Sequence, residues 1–298
     1  MLKFFRSAIA GIALLLSGGA YAQAQPKPTD ADPALWVVKD ADTTIYLFGT
    51  IHILKPGLTW FDEAVKTAFD SSDTLALEMV QPPADEMRAL VMRKGTLSPS
   101  DKPLSEQLPE GARARYAAAL TGLGMPPAAF DRIKPWFAAT TLTMLPLMKL
   151  GFDPARGVEP NLTEAAKAAG KKIVGLETAE QQIGYLDGMS TPAQITFLTN
   201  TIDEMPKLGG TIDKMIGEWS AGDADGIAAE MNDDRDGSPE SAATLLYDRN
   251  ARWADWIDAR LKTPGTVFVA VGAGHLAGPK SVQAELAKRG VTATRVVY

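Results

Sequence analysis

The stretch Thr43-Thr44-Ile45-Tyr46-Leu47-Phe48-Gly49-Thr50-Ile51-His52 decides the fold of this chain. Its opening residues are mostly β-branched or aromatic, the composition of a strand, and a glycine then turns the chain toward a histidine. Near the other end, Thr266-Val267-Phe268-Val269-Ala270-Val271-Gly272-Ala273-Gly274-His275 repeats the arrangement. These are the only two histidines among 298 residues, and each closes a Gly-x-x-His tetrapeptide. Two sparing, matched elements predict that the ends of the chain meet at one site.

Working outward, strands alternate with helices. Leu35 to Lys39 and Thr43 to Phe48 flank Asp40-Ala41-Asp42 and read as a hairpin. Thr74 to Met79, Lys172 to Leu176, Thr266 to Val271 and Ala293 to Tyr298 read as further strands. Apolar residues at Phe61, Ala64, Val65, Ala68 and Phe69 have helical spacing, so Trp60 to Phe69 reads as a helix. Leu162 to Ala169 and Ser281 to Lys288 read likewise, the latter ended by Gly290. Two longer stretches, about 83–150 and 181–261, read as helical throughout. The expected fold is α/β: a mixed central sheet with helices around it and a substantial helical layer or lid, in one domain over 34–298. Met144, Leu145, Leu147 and Met148 are expected on the buried face of that layer; a Met-rich groove for peptides is the alternative.

The amino terminus sets the expected compartment. Lys3 and Arg6 precede an apolar run from Ser7 to Leu16, and Ala20-Tyr21-Ala22 has the small-x-small pattern that signal peptidase reads. A signal peptide over 1–22 and a linker over 23–33 follow, with a periplasmic or secreted mature protein. The apolar run is too short to span a bilayer comfortably, which disfavours the alternative of an uncleaved anchor and predicts no stable membrane insertion after cleavage. A net charge of -6, with no basic cluster, argues against nucleic acid as a partner. Cysteine is absent, so disulfides, thiolate ligands and a cysteine nucleophile are excluded.

Polar residues fall where the strands end. His52, Glu78, Glu177 and His275 each follow or close a different strand, and loops at the carboxyl edge of a parallel sheet converge on a crevice. Two imidazoles and a carboxylate suit a divalent ion such as Zn, Mn, Fe or Co, with the second carboxylate available as a base. Each histidine bonding only a neighbouring carbonyl, and each glutamate making only a strand-end salt bridge, are the plain alternatives. The glycines at 49, 272 and 274 are expected to allow positive φ or close backbone approach. Arg249 opens a helix whose apolar side carries Trp253, Trp256, Ile257 and Leu261, and is either an exposed helix charge or a clamp for a carboxylate or oxyanion. Asp153, Arg156 and Glu159 are adequately explained by capping and loop pairing.

Tyr46-Leu47-Phe48-Gly49-Thr50-Ile51-His52, Leu75-Ala76-Leu77-Glu78, Gly170 to Thr178, Asp248-Arg249-Asn250 and Val271-Gly272-Ala273-Gly274-His275-Leu276 together resemble the TraB/PrgY/GumN family, in order and spacing, from Trp36 to the carboxyl terminus. The resemblance implies a fold related to erythromycin esterases and an activity like that of the animal Tiki proteins, membrane-tethered metalloproteases dependent on Mn or Co. By motif, His52, His275, Glu78 and Arg249 correspond to the family's active-site elements, which implies the histidines as metal ligands, Glu78 as ligand or general base and Arg249 as a carboxylate or oxyanion partner; Glu177 is a further catalytic candidate. Where the family pattern is Gly-Val-Asp, this chain has Gly157-Val158-Glu159. The expectation is therefore an exported hydrolase dependent on a divalent metal ion (Mn, Co or Zn) and acting on peptide or protein substrates. Its rivals are a metal-independent, histidine-based hydrolase and a non-enzymatic peptide- or ligand-binding protein.

Mass spectrometry of the exported protein is expected to find an amino terminus at Gln23. An intact Met1 on the mature protein would contradict the leader.

Overall fold

The computed structural model describes residues 28–231 and 238–297, so the expected signal peptide and the first part of the linker lie outside the described residues. The strands are β1 (Thr29–Asp30), β2 (Leu35–Lys39), β3 (Thr43–Thr50), β4 (Leu58–Thr59), β5 (Thr74–Met79), β6 (Lys172–Glu177), β7 (Gly265–Gly272) and β8 (Thr294–Arg295). Six of them form one mixed sheet in the order β6-β5-β7-β3-β2-β8. The pairs β3 with β7, β7 with β5 and β5 with β6 are parallel, whereas β2 runs antiparallel to both β3 and β8. The two histidine-bearing units thus form adjacent parallel strands, with Gly49 opposite Val271 and Thr50 opposite Gly272.

Alternation divides the core. Ile45 and Leu47 of β3, with Val267, Val269 and Val271 of β7, face one layer built on Trp253, Ala254 and Ile257. Phe48 and Phe268 face the other, with Trp60, Phe69 and Trp219. Both sheet faces are covered, which is why these central strands read as nearly continuous apolar runs. Trp219 joins the faces of chain and sheet most directly: it is 1% exposed, packs edge-on against Trp60 and donates from Nε1 to the Gly49 carbonyl at 2.8 Å.

Helices span Ala84–Gly95, Glu110–Gly122 and Pro135–Lys149 in the first expected helical stretch. The second holds Ala179–Asp187, Thr191–Glu204, Leu208–Ser220, Ala224–Met231 and Asp248–Leu261. Glu110–Gly122, Pro135–Lys149 and Thr191–Glu204 share a core of their own, centred on Tyr116, Leu142 and Leu198, which makes them a packed layer. Met144 and Leu147 face a small cluster with Ile53 and Phe152, but Met148 is 55% exposed, a correction to the apolar face read from the sequence.

Three boundaries also differ. Residues 29–31 are not linker: β1 pairs with β4, and Ala31 is buried in the core. The last strand shrinks to Thr294–Arg295 because only Trp36 and Val37 of β2 pair with it. The amphipathic helix begins at Glu63 rather than Trp60, whose ring turns into the core instead. No helix among the described residues is long and apolar enough to cross a membrane.

Trp219→Ala removes a buried aromatic and leaves the Gly49 carbonyl without its donor, and should cost about 3–5 kcal/mol of stability in urea unfolding. A loss below about 1 kcal/mol would contradict the packing described here.

Candidate functional site

Parallel pairing sets the carboxyl ends of β3, β7, β5 and β6 side by side, and His52, His275, Glu78 and Glu177 arrive at that edge. Arg249, on the helix that packs beneath β7, completes the group. All five residues singled out from the sequence therefore converge.

Arg249 is the hub. Its Nε donates to Glu177 Oε1 at 3.0 Å and Oε2 at 3.1 Å, and Nη2 donates to Glu177 Oε2 at 2.8 Å and Glu78 Oε2 at 2.5 Å. Nη1 donates to the Leu245 carbonyl at 3.1 Å and lies 3.2 Å from His275 Nε2. Its side chain is 11% exposed, so the reading of an exposed helix charge is set aside by the structure. Every nitrogen of the guanidinium is engaged by protein. Arg249 thus positions two carboxylates and a ring, rather than reaching for a substrate group.

The two histidines are oriented differently. His275 sits in a buried turn, its ring 4.4 Å from that of Trp253, with Nδ1 2.6 Å from Asn250 Oδ1. Asn250 Nδ2 donates to the Lys280 carbonyl, which leaves Oδ1 as the acceptor and puts the His275 proton on Nδ1. Nε2 then accepts from Arg249. His52 instead places Nδ1 2.5 Å from Glu159 Oε1, which also accepts from the Thr50 hydroxyl at 2.5 Å. Its side chain is 66% exposed. The segment carrying Glu159 is fastened to the His52 turn: Val158 N donates to the Ile51 carbonyl at 3.0 Å, and a Cβ at Gly157 would stand 2.3 Å from the His52 carbonyl oxygen. Only glycine permits that approach.

Gly272 leaves a small cradle at the centre. The point where its Cβ would stand is 3.2 Å from Glu78 Oε1, 3.4 Å from His52 Nε2 and 3.5 Å from His275 Cδ2. Glu78 Oε1 is held there by the Gly272 N–H at 2.7 Å, and Gln182 Nε2 donates to both Glu78 Oε2 and Glu177 Oε2 at 3.2 Å. Gly272 serves this approach and Gly49 the close passage of Ala273, whose Cα lies 3.1 Å from where a Gly49 Cβ would stand; none of Gly49, Gly272 and Gly274 adopts positive φ.

Charges follow the contacts. Burial disfavours ionised Glu78, but His275, Arg249, His52 and the Gly272 N–H outweigh it and hold its pKa near about 2. Burial also lowers His275, to about 4, against the pull of Glu78. Desolvation by the neighbouring side chains tends to lower His52 as well, but the hydrogen bond to Glu159 and the charges of Glu159 and Glu78 raise its pKa to about 9. Glu159 is pushed down despite burial by its bond to His52. At neutral pH His52 is an imidazolium and His275 a neutral ring.

A divalent ion matches this donor set in kind, since each imidazole has its far nitrogen steered by a partner, as metal-ligating histidines do. The arrangement does not match. The cradle faces His52 Nε2 and Glu78 Oε1 but a carbon of His275, whose Nε2 is turned to Arg249. Among the described residues no group of three His, Cys, Asp or Glu side chains is placed to hold a metal ion.

Sequence reasoning left Glu159 without a role and did not weigh Gln182, Thr50 or Asn250 as site residues. Asn250 adjoins Arg249, and Glu159 closes Gly157-Val158-Glu159, so both lay inside recognised motifs. Gln182 carried no signal beyond its place in the helix after Glu177. Asp153 does cap, accepting from Ala155 N at 2.9 Å.

The family model described as the TraB/PrgY/gumN family matches residues 34–295. An uncharacterised protein, YbaP of Escherichia coli (strain K12), is 25% identical over 252 residues, covering 83% of this chain and 89% of that protein. An uncharacterised protein of Treponema pallidum (strain Nichols) is 22% identical over 269 residues, covering 85% of this chain and 80% of that protein. No solved structure matches the chain.

The shifted groups make stability depend on pH. His275 holds its proton less tightly folded than unfolded, so its contribution is complete above pH 6.5 and is lost as pH falls through about 4. Glu78 acts at lower pH: its contribution is complete above pH 4.5 and is lost toward about 2. In chelator-treated protein the urea midpoint should therefore decline between pH 6.5 and 4, and His275→Asn should flatten that limb. An unchanged slope in the variant would contradict the buried neutral ring.

Proposed function

The chain belongs to the TraB/PrgY/gumN family, and on that footing we propose that it is an exported hydrolase of acyl bonds in peptide or protein substrates, acting at the Gly272 cradle. The observation that carries this reading is that Glu78 Oε1 and His52 Nε2 both approach the same face of Gly272, within 3.2 and 3.4 Å of where a Cβ would stand, so that a water entering beside that face meets an ionised carboxylate and an imidazolium. Glu78 takes a proton from that water as its oxygen bonds to the substrate carbonyl carbon. His52 gives its Nε2 proton to the departing nitrogen or oxygen as the acyl bond breaks. Glu159 holds the His52 ring in place through Nδ1, and Arg249, with Glu177 and Gln182, holds Glu78. His275 supports the wall of the cradle as a neutral ring.

A second reading, the Mn-, Co- or Zn-dependent peptidase implied by the paired Gly-x-x-His motifs, is favoured by the kinds of donor at the site. His52, His275 and Glu78 would hold the ion, which would polarise a carbonyl and acidify water. It requires His275 Nε2 to leave Arg249.

A peptide-library digest read by mass spectrometry, with metal content measured on the same sample, separates the readings. Turnover that survives chelation, falls roughly 10²–10⁴-fold in His52→Asn and declines as pH rises through about 9 supports the acid–base pair. Gly272→Ala should abolish turnover in a folded protein, because its methyl crowds the Glu78 carboxylate and the His52 ring and closes the face on which water would enter. Turnover unchanged in Gly272→Ala removes the cradle from the mechanism, and activity restored only by Mn, Co or Zn transfers the function to the second reading.

A further inference from the structure

A cavity of about 450 Å³ opens within the helical layer, in the size range of roughly 300–1,000 Å³ usual for small-molecule sites. Its walls include Asp101, Lys102, Lys134, Asp187, Thr191 and Gln194. Asp187 ends the helix that begins beside Glu177, so this cavity lies at the opposite end of that helix from Gln182 and the catalytic edge. Nothing in the proposed hydrolysis uses it.

Its polar groups are built rather than scattered. Asp187 Oδ1 accepts from Lys134 Nζ at 2.5 Å and from Trp136 Nε1 at 3.3 Å, which fixes the carboxylate, while Oδ2 has no donor among the described residues. Gln194 is 5% exposed, and its Nε2 donates to the carbonyls of Asp187 at 3.3 Å and Met189 at 2.9 Å. That pair of bonds settles which way the amide faces and leaves Oε1 at the cavity, without a donor among the described residues. The amide oxygen of a buried residue and a fixed carboxylate oxygen, neither with a donor among the described residues, suit a ligand with several N–H donors.

Charge narrows the ligand. Two aspartates and two lysines line the space, so a ligand of no net charge is favoured. Lys134 is committed to Asp187, whereas Lys102 makes no ion pair among the described residues. We propose that this cavity binds a small zwitterion, a free amino acid or the equivalent ends of a short peptide, with its ammonium on Asp187 Oδ2 and Gln194 Oε1 and its carboxylate on Lys102. The site recognises the two charges together, and Met189 and Leu97 supply apolar surface for the side chain between them.

Calorimetric titration of the full mature chain with L-leucine tests this, since leucine has no bond for the catalytic edge to cut and the result is independent of any hydrolysis. Saturable binding is expected, at least tenfold weaker for isoamylamine, which lacks the carboxylate, and for 4-methylpentanoate, which lacks the ammonium. Lys102→Ala should weaken leucine at least tenfold and Thr191→Trp, which fills the space from an exposed position, should abolish it, with thermal melts confirming both variants folded. His52→Asn should bind leucine as the parent does. Absence of saturable binding by leucine overturns the proposal, as does binding insensitive to both Lys102→Ala and Thr191→Trp, or binding lost in His52→Asn, which would put the ligand at the catalytic edge.

Discussion

The site is organised by one buried guanidinium. Arg249 binds two carboxylates from neighbouring strands, a carbonyl of its own helical segment and a ring from the turn after a third strand, and engages every nitrogen in doing so. Two carboxylates side by side in a mostly buried crevice repel one another and resist desolvation, and a shared cation with geometrically fixed donors offsets both costs. Gln182 adds a donor to each carboxylate from the other side. Loss of one member of such a buried set typically costs about 3–5 kcal/mol, because the partners stay buried without compensation. The helix carrying Arg249 and the strands carrying Glu78 and Glu177 are therefore tied at the very edge where the chemistry is proposed.

That fixed frame makes the two histidines unlike each other. His275 lies between Trp253 and Arg249, beside a cation, and pays for burial by staying neutral. His52 lies at the exposed side, against Glu159 and near Glu78, and keeps its proton. Similar Gly-x-x-His turns on adjacent parallel strands thus yield an acid and a wall. The difference comes from the neighbours each turn meets, an arginine in one case and a glutamate in the other.

Much of this was legible in the sequence. The alternation in β3 and β7, the Gly-x-x-His endings and the carboxylates closing β5 and β6 predict one edge, because parallel strands place their carboxyl ends together. The rest depends on contacts between residues far apart in the chain. Glu159 reads as a loop charge until Gly157 is seen to admit the chain against the His52 carbonyl. Gln182 reads as an ordinary helix residue until its helix is seen to start at the site. Arg249 reads as a substrate clamp because its type suits one; only counting its donors shows that none is left. Residues 29–31 read as linker because their composition is polar, and the short pairing of β1 with β4 overrides it.

Because the chain has only two histidines, selective ¹⁵N-histidine labelling gives an unusually direct view of the site. The central claim, that one ring is a proton donor and the other a neutral support, can be read by following both through a pH titration of metal-free protein. His52 is expected to remain an imidazolium at neutral pH and to titrate near about 9, whereas His275 is expected as the Nδ1–H tautomer and to titrate near about 4. Two rings that titrate together near pH 6.5, or a His275 protonated at Nε2, would contradict the account.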